Sequence, residues 1–264
     1  MRSFLWWISG LGLLIAAASC QKVIDLKVGD STPRIFIEGR VTDSLQPWTV
    51  HVSRTLSYTA SNNVDAVRSA RVSIQDLTAG TTDSLFETAP GIYTTPGAKS
   101  GISGHTYALR VETGEETFTA ASTLPGRVPI DSVRVEVSGA FGRKAAQIFV
   151  EFTDPPGIPN YYRFALFANG KRQSFDTRDD RYTDGRINGR PSILAYDDDK
   201  NIGSGTLVTI EMEGIDAAVY KYFSTIRNAD GNSAAPANPV SNIQGGALGY
   251  FSATSVQEAR IVLP

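Results

Sequence analysis

Almost every segment of this 264-residue chain beyond residue 33 places apolar side chains at alternate positions, and only one places them at helical spacing. RIFIEGRV sets Ile35, Ile37 and Val41 on one face, and WTVHVSRT sets Val50 and Val52 inward with His51 outward. ARVSIQD pairs Val72 with Ile74, and HTYALRVE aligns Tyr107, Leu109 and Val111. A period of two is the signature of half-buried strands, because successive side chains leave opposite faces of the backbone. Gly, Pro, Asn and Asp clusters separate these runs at sandwich-like spacing, so residues 34–124 are expected to form a β-sandwich. Tyr107, just after Gly104, is expected to bond back to the preceding loop and fix a corner.

LPGRVP is the best boundary, since two prolines around a glycine cannot continue inside a sheet. Residues 125–129 are therefore read as a stiff hinge, and 130–264 as a second sandwich. Its strands include SVRVEVS (Val133, Val135, Val137), AQIFVEFTD (Ile148, Val150, Phe152) and LVTIEME (Val208, Ile210, Met212). Asn169-Gly170 is a two-residue hairpin signal, because both residues accept positive φ. GYFSATSV and ARIVLP read as two closing strands. The one helical pattern has Asp216 as N-cap, Val219, Tyr222, Phe223 and Ile226 on one stripe, and Asn228 as stop. It predicts a helix over 217–227 that covers the second sandwich.

Cys20 is the chain's sole cysteine, so no internal disulfide can form and each sandwich depends on its apolar core. That cysteine closes the leader MRSFLWWISGLGLLIAAASC. Arg2 supplies a positive start, Phe4 to Ala18 an apolar run, and Ala17, Ala18 and Ser19 the small residues before a cleavage. The apolar run is too short to span a bilayer of about 30 Å. Residues 1–19 read as a lipoprotein signal peptide, Cys20 as the lipidated first residue, and 20–33 as a tether. Acyl chains then hold the protein, each buried CH2 contributing about 0.8 kcal/mol. Removal of the leader changes the formal charge from −2 to −3, too near neutral to favour nucleic acid. No acidic run directly follows Cys20, where Gln21-Lys22-Val23-Ile24 intervene. The signature of surface display is thus missing, and the membrane face is left open.

QKVIDL after the cysteine, then PRIFIEGRVTD, PWTVHVSRT, RSARVSIQD, PGIYTT, GHTYALRVET and STLPGRVPIDSV, occur in an order that resembles one family. FTDPPGIPNYYRF, VYKYFSTI and NPVSNIQGGALGYFSA extend the match to about residue 256. The chain resembles the "domain of unknown function 4249" outer-membrane lipoproteins. The resemblance implies an all-β fold of two tandem immunoglobulin-like or transthyretin-like β-sandwiches, with one helix in the second. It also implies a lipid-anchored accessory of a TonB-dependent outer-membrane transporter. It brings no catalytic residues.

No constellation of residues makes a strong case for catalysis. The nucleophile elbow G-x-S-x-G is absent. His51 lies on a strand's solvent face and His105 starts another strand, so a cryptic hydrolase would need a pocket around one of them. Two histidines and one committed cysteine lack zinc spacing. Among 27 acids, no pair points to a glycosidase, and Gly203-Ser204-Gly205 completes no dinucleotide fingerprint. No cofactor is expected, and the chain is read as a non-enzyme. Asp176, Asp179, Asp180 and Asp184 precede Asp197-Asp198-Asp199. Asp197 and Asp199 are the calcium candidates, although an EF-hand register fails at Ile202 and Val208. Arginines interleave this stretch, so a solvated polar loop with surface ion pairs is the favoured reading over a calcium-stiffened one. Tyr161 and Tyr162, in an aromatic group with Phe164, Phe167 and Phe175 for which core packing is the favoured reading, and separately Trp48, weighed equally against partial burial, are the candidate partner contacts. The leading functional expectation is a binding or accessory lipoprotein. The alternative is a free-standing adhesin or glycan-binding protein.

Overall fold

The computed structural model describes residues 32–55, 65–114, 116–140, 143–195, 202–229 and 239–264. Residues 1–31, with the expected signal peptide and Cys20, and the calcium candidates Asp197 and Asp199 lie outside the described residues. The first half contains β1 (Ile35–Thr42), β2 (Thr49–Arg54), β3 (Asp65–Ala66), β4 (Arg71–Asp76), β5 (Thr81–Ala89), β6 (Ile92–Thr94), β7 (Thr106–Thr113) and β8 (Glu116–Thr123). The second contains β9 (Ser132–Ala140), β10 (Arg143–Thr153), β11 (Tyr161–Ala168), β12 (Lys171–Asp179), β13 (Ile187–Ala195), β14 (Leu207–Ile215), helix α1 (Ala217–Ala229) and β15 (Leu248–Val262). The fold is all-β with one helix among the described residues. The helix is too short and polar to cross a membrane.

One large sheet runs β12-β11-β14-β15-β1-β2-β6-β5-β4-β7-β8, with β3 beside β2, and a small sheet runs β13-β10-β9. The large sheet turns a corner at β5, whose first residues pair with β4 and whose last pair with β6. The β15-β1-β2 side thereby faces β7. Ile37, Val50, Ile74, Leu109, Val111 and Phe251 meet in a first core. Ile148, Phe152, Val208, Ile210 and Met212 fill a second core, between the small sheet and β11-β14. The alternation read from sequence is thus the burial pattern of β1, β2, β4, β7, β10 and β14. The Val133-Val135-Val137 face is only partly covered, and Val137 is exposed.

Local signals also hold. The Ile102 amide donates to the Tyr107 hydroxyl at 2.8 Å, which is the expected corner. Asn169 and Gly170 both have positive φ, as a tight hairpin requires. Asp216 caps α1 by accepting the Val219 amide at 2.9 Å. The helix runs two residues beyond the expected end, to Ala229.

The closing segments form one strand, not two. Residues 248–254 of β15 pair in parallel with β1, and residues 255–262 pair antiparallel with β14. Ile243, Ala247, Phe251 and Ala253 belong to the first core, so a division that gives all of 130–264 to a second unit must return them to the first. Phe251 to Ser255 are all buried where the strand passes from one core to the other. Ser252, Ala253, Thr254 and Ser255 are small because both of their faces are covered there. The segment 125–129 is fastened as well. Leu124 sits in the first core and Val128 in the second, and Arg127 pairs with Asp43 at 2.7 Å. Asp43 also accepts the Val256 amide at 2.9 Å, tying that segment to β15.

The parallel β1–β15 contact needs a glycine. Gly249 has φ +100°, and a Cβ there would run into the Ile37 carbonyl, whereas Gly246 at φ +88° has open space around it. Gly246→Ala is expected to cost about 1–2 kcal/mol for backbone strain alone. Gly249→Ala should cost clearly more, because the paired backbone must also move. Equal urea-unfolding midpoints for the two variants would refute this reading.

Candidate functional site

Where β15 passes between the cores, charged side chains occupy the outer face of the large sheet. The pairing of β14 with β11 sets Glu213 opposite Arg163. Arg163 Nη2 donates to Glu213 Oε1 at 2.7 Å, and its Nε donates to the other carboxylate oxygen. Arg40 of β1 reaches the same group, with Nη2 2.5 Å from Glu213 and 2.8 Å from Glu211. Arg163 and Glu213 are both buried, while Arg40 keeps about a third of its side chain exposed. Glu211 and Glu213, two residues apart on one strand, share a face, so the four charges form one network between the two sandwiches.

Helix α1 closes this network from one side. The Phe223 ring lies 4.6 Å from the Arg163 guanidinium carbon and 4.7 Å from the Tyr250 ring. Tyr222 lies 5.0 Å from Tyr250, and Tyr220 lies 5.0 Å from Tyr161. The helical stripe expected to cover the second sandwich therefore covers its union with β15.

Beside the network lies a groove of about 290 Å³, lined by residues that include Glu38, Arg40, Gln46, Thr49, His51 and Tyr250. Its floor follows from strand register. Glu38 stands opposite His51 on β2 and opposite Tyr250 on β15, and Arg40 stands opposite Thr49. These side chains share the face that points away from the first core. The rim is braced, since Gln46 Nε2 donates to Thr42 Oγ1 at 2.8 Å.

Burial by itself would push the Glu213 carboxyl up, but Arg163 and Arg40 more than offset this and hold it at about 2. Burial and a hydrogen bond shared with Glu213 push Glu211 the other way, above its ordinary value. Burial also raises the Tyr250 hydroxyl, with Glu38 adding to the shift against Arg163.

A second cluster lies where the β10–β11 and β12–β13 connections meet. Carboxylate oxygens of Asp154, Asp180 and Asp184 all lie within 4.8 Å of one another, close enough to share a hard cation. Each also serves the fold. Asp154 accepts the Tyr162 hydroxyl at 2.5 Å, Asp180 the Asn160 amide at 2.7 Å and Asp184 the Gly157 amide at 2.7 Å. Burial and the two neighbouring aspartates raise the Asp154 carboxyl, despite hydrogen bonds from Tyr162 and Gly185.

Two of the three expected aromatic contacts are corrected. Trp48 is 5% exposed and packs edge-on against Tyr107 at 5.4 Å in the first core. Tyr162 is 2% exposed, because alternation turns it inward onto Phe152. Tyr161, on the opposite face of β11, is half-buried against α1. His51 does face solvent. His105 Nδ1 lies 2.8 Å from Asp76, a carboxylate that also caps the β4–β5 turn through the Thr78 and Ala79 amides. That pair has the spacing of a catalytic dyad, but its aspartate is occupied in holding a turn. Glu38, Arg40, Arg163, Glu211 and Glu213 were not singled out from sequence. The available signal was an arginine set among the aromatics of YYRFALF, together with the Glu-x-Glu of EME.

The family model described as "Domain of unknown function (DUF4249)" matches residues 21–260. The chain belongs to this family. The match covers all of the first core, the second core except Ile261 and Leu263, and all of the groove, so the site is built wholly from the DUF4249 region. Among solved structures, a two-domain fibronectin type III segment of chicken tenascin is similar at 10% identity, over 88% of this chain and 99% of that one, with a TM-score of 0.23. No curated protein matches the chain.

Removing one member of a buried ion pair leaves its partner uncompensated, so Glu213→Gln is expected to cost about 3–5 kcal/mol at neutral pH. A carboxylate held below its ordinary value stabilises the fold above that value, and the contribution is lost as pH falls toward the folded value. The gap between wild type and Glu213→Gln should therefore close between pH 4.5 and about 2. Glu211, being raised, acts oppositely and relieves a small cost as it takes up a proton above pH 4.5. Urea unfolding of both proteins across this range checks the sign, and a gap that widens on acidification would contradict it.

Proposed function

We propose that this DUF4249 chain is an exported lipoprotein, anchored through Cys20 to the outer membrane, that serves as a binding and accessory module for a TonB-dependent transporter. It docks on the transporter or captures substrate for it, and performs no catalysis. The observation that carries the reading is the leader that ends in the chain's sole cysteine, followed by a scaffold joined in one sheet. Tethering a rigid body beside a membrane channel raises the local concentration of whatever its surface binds. The groove on the β1-β2-β15 face favours a second reading, a free-standing adhesin or glycan-binding protein.

Full-length tagged protein, extracted from its native membrane in mild detergent, is expected to carry a palmitate label and to bring down a β-barrel in stoichiometric amount. Cys20→Ala should lose the label and the barrel together. A label that persists in Cys20→Ala overturns the lipid anchor. Labelled outer-membrane protein that brings down no barrel overturns the accessory role and favours the free-standing binder.

A further inference from the structure

The geometry points to the groove between Glu38, His51 and Tyr250 as a binding site for a neutral carbohydrate. The inference rests on the reading of this chain as a binding module, and it names the ligand class and the site.

Charge excludes one class of ligand. Among the described residues that line the groove, Arg40 alone carries a guanidinium, and Glu211 and Glu213 hold it, so it offers an anion no uncompensated positive charge. Glu38, which faces the groove, would repel an anion. Strand pairing disfavours another class. A peptide bound by strand addition needs a free sheet edge. Here β15 is paired with β14 and β1, β1 with β15 and β2, and β2 with β1, β3 and β6. With no free edge for strand addition, recognition runs mainly through the side chains that line the groove.

Those side chains suit a sugar ring. Glu38 lies between His51 and Tyr250 on one face and can accept from two neighbouring hydroxyls, as ionised carboxylates do. Thr49, Gln46 and His51 can both donate and accept. Tyr250 and Pro47 give apolar surface for the C–H face of a ring. Tyr250 is fixed by Tyr222 and Phe223, and Gln46 by Thr42, so little side-chain freedom is lost on binding. A volume of about 290 Å³ lies just below the ~300–1,000 Å³ range of ligand pockets, which limits direct contact to roughly one or two sugar rings.

The test uses full-length lipoprotein in detergent, titrated with neutral gluco-, manno- and xylo-oligosaccharides, with oligogalacturonate, and with tryptic casein peptides. At least one neutral oligosaccharide is expected to bind. Glu38→Gln and His51→Ala should each weaken it about tenfold, the loss of one strong hydrogen bond. His51 is exposed, so its variant keeps the unfolding midpoint even if Glu38→Gln does not. Failure of every neutral sugar to bind, binding confined to oligogalacturonate or peptides, or neutral-sugar affinity unchanged in His51→Ala overturns the proposal. Palmitate labelling and barrel co-purification are scored on the same samples, so loss of the sugar site is separable from loss of the accessory role.

Discussion

Strand β15 is the member on which the two halves depend. It gives its first seven paired residues to β1 and its last eight to β14, so one uninterrupted backbone belongs to both cores. The transfer requires a stretch covered on both faces, met by Phe251 to Ser255. It also requires backbones close enough to pair in parallel, met by Gly249 against Ile37. Polar contacts then fix the crossing point. The Ala253 amide donates to Ser122 Oγ at 2.8 Å, and Ser122 Oγ donates to Asp216 at 2.5 Å. Asp216 thus caps the helix and also fastens the end of β8 to the strand crossing. A proline-bounded linker between two sandwiches would ordinarily permit relative motion. Here a shared strand and these bonds remove most of that freedom.

The charged network follows from the same crossing. Joining two sheets side by side brings together the outer faces of β1, β14 and β11, which carry Arg40, Glu211, Glu213 and Arg163. A buried ion network of this kind adds little net stability over an apolar equivalent, but it penalises any arrangement that leaves one member unpaired. It acts as a specificity device for the union of the two halves. The same ion pairing compensates the Arg40 charge beside the adjoining groove.

The elements were legible in sequence because burial of one face imposes a period of two on any strand, whatever its partner. Ile35, Ile37 and Val41, or Val208, Ile210 and Met212, announce themselves without tertiary knowledge. Partner choice leaves no such local trace. LGYFSATSV reads as a strand whether it pairs with β1 or with a strand of the second half, and the single 15-residue β15 therefore looked like two. Trp48 follows a proline at a strand start, a position that resembles an exposed rim. Its burial depends on Tyr107, 59 positions away in the sequence. Asp154 precedes two prolines and looks like a loop acid, and only the inward turn of Tyr162 shows why it is buried. The groove was the least legible feature. Glu38, His51 and Tyr250 come from three strands and meet only through register.

The parallel pairing of β1 with β15 also sets direction. Arg34, just before β1, donates to the Gly246 carbonyl at 2.5 Å, so the chain enters the fold beside the start of β15. From there β15 extends through 15 residues, about 50 Å at 3.3 Å per residue, to the far end of the second sandwich. A rigid shared strand makes the placement of the second sandwich relative to the start of β1 a property of the fold, where a free hinge would leave it to chance.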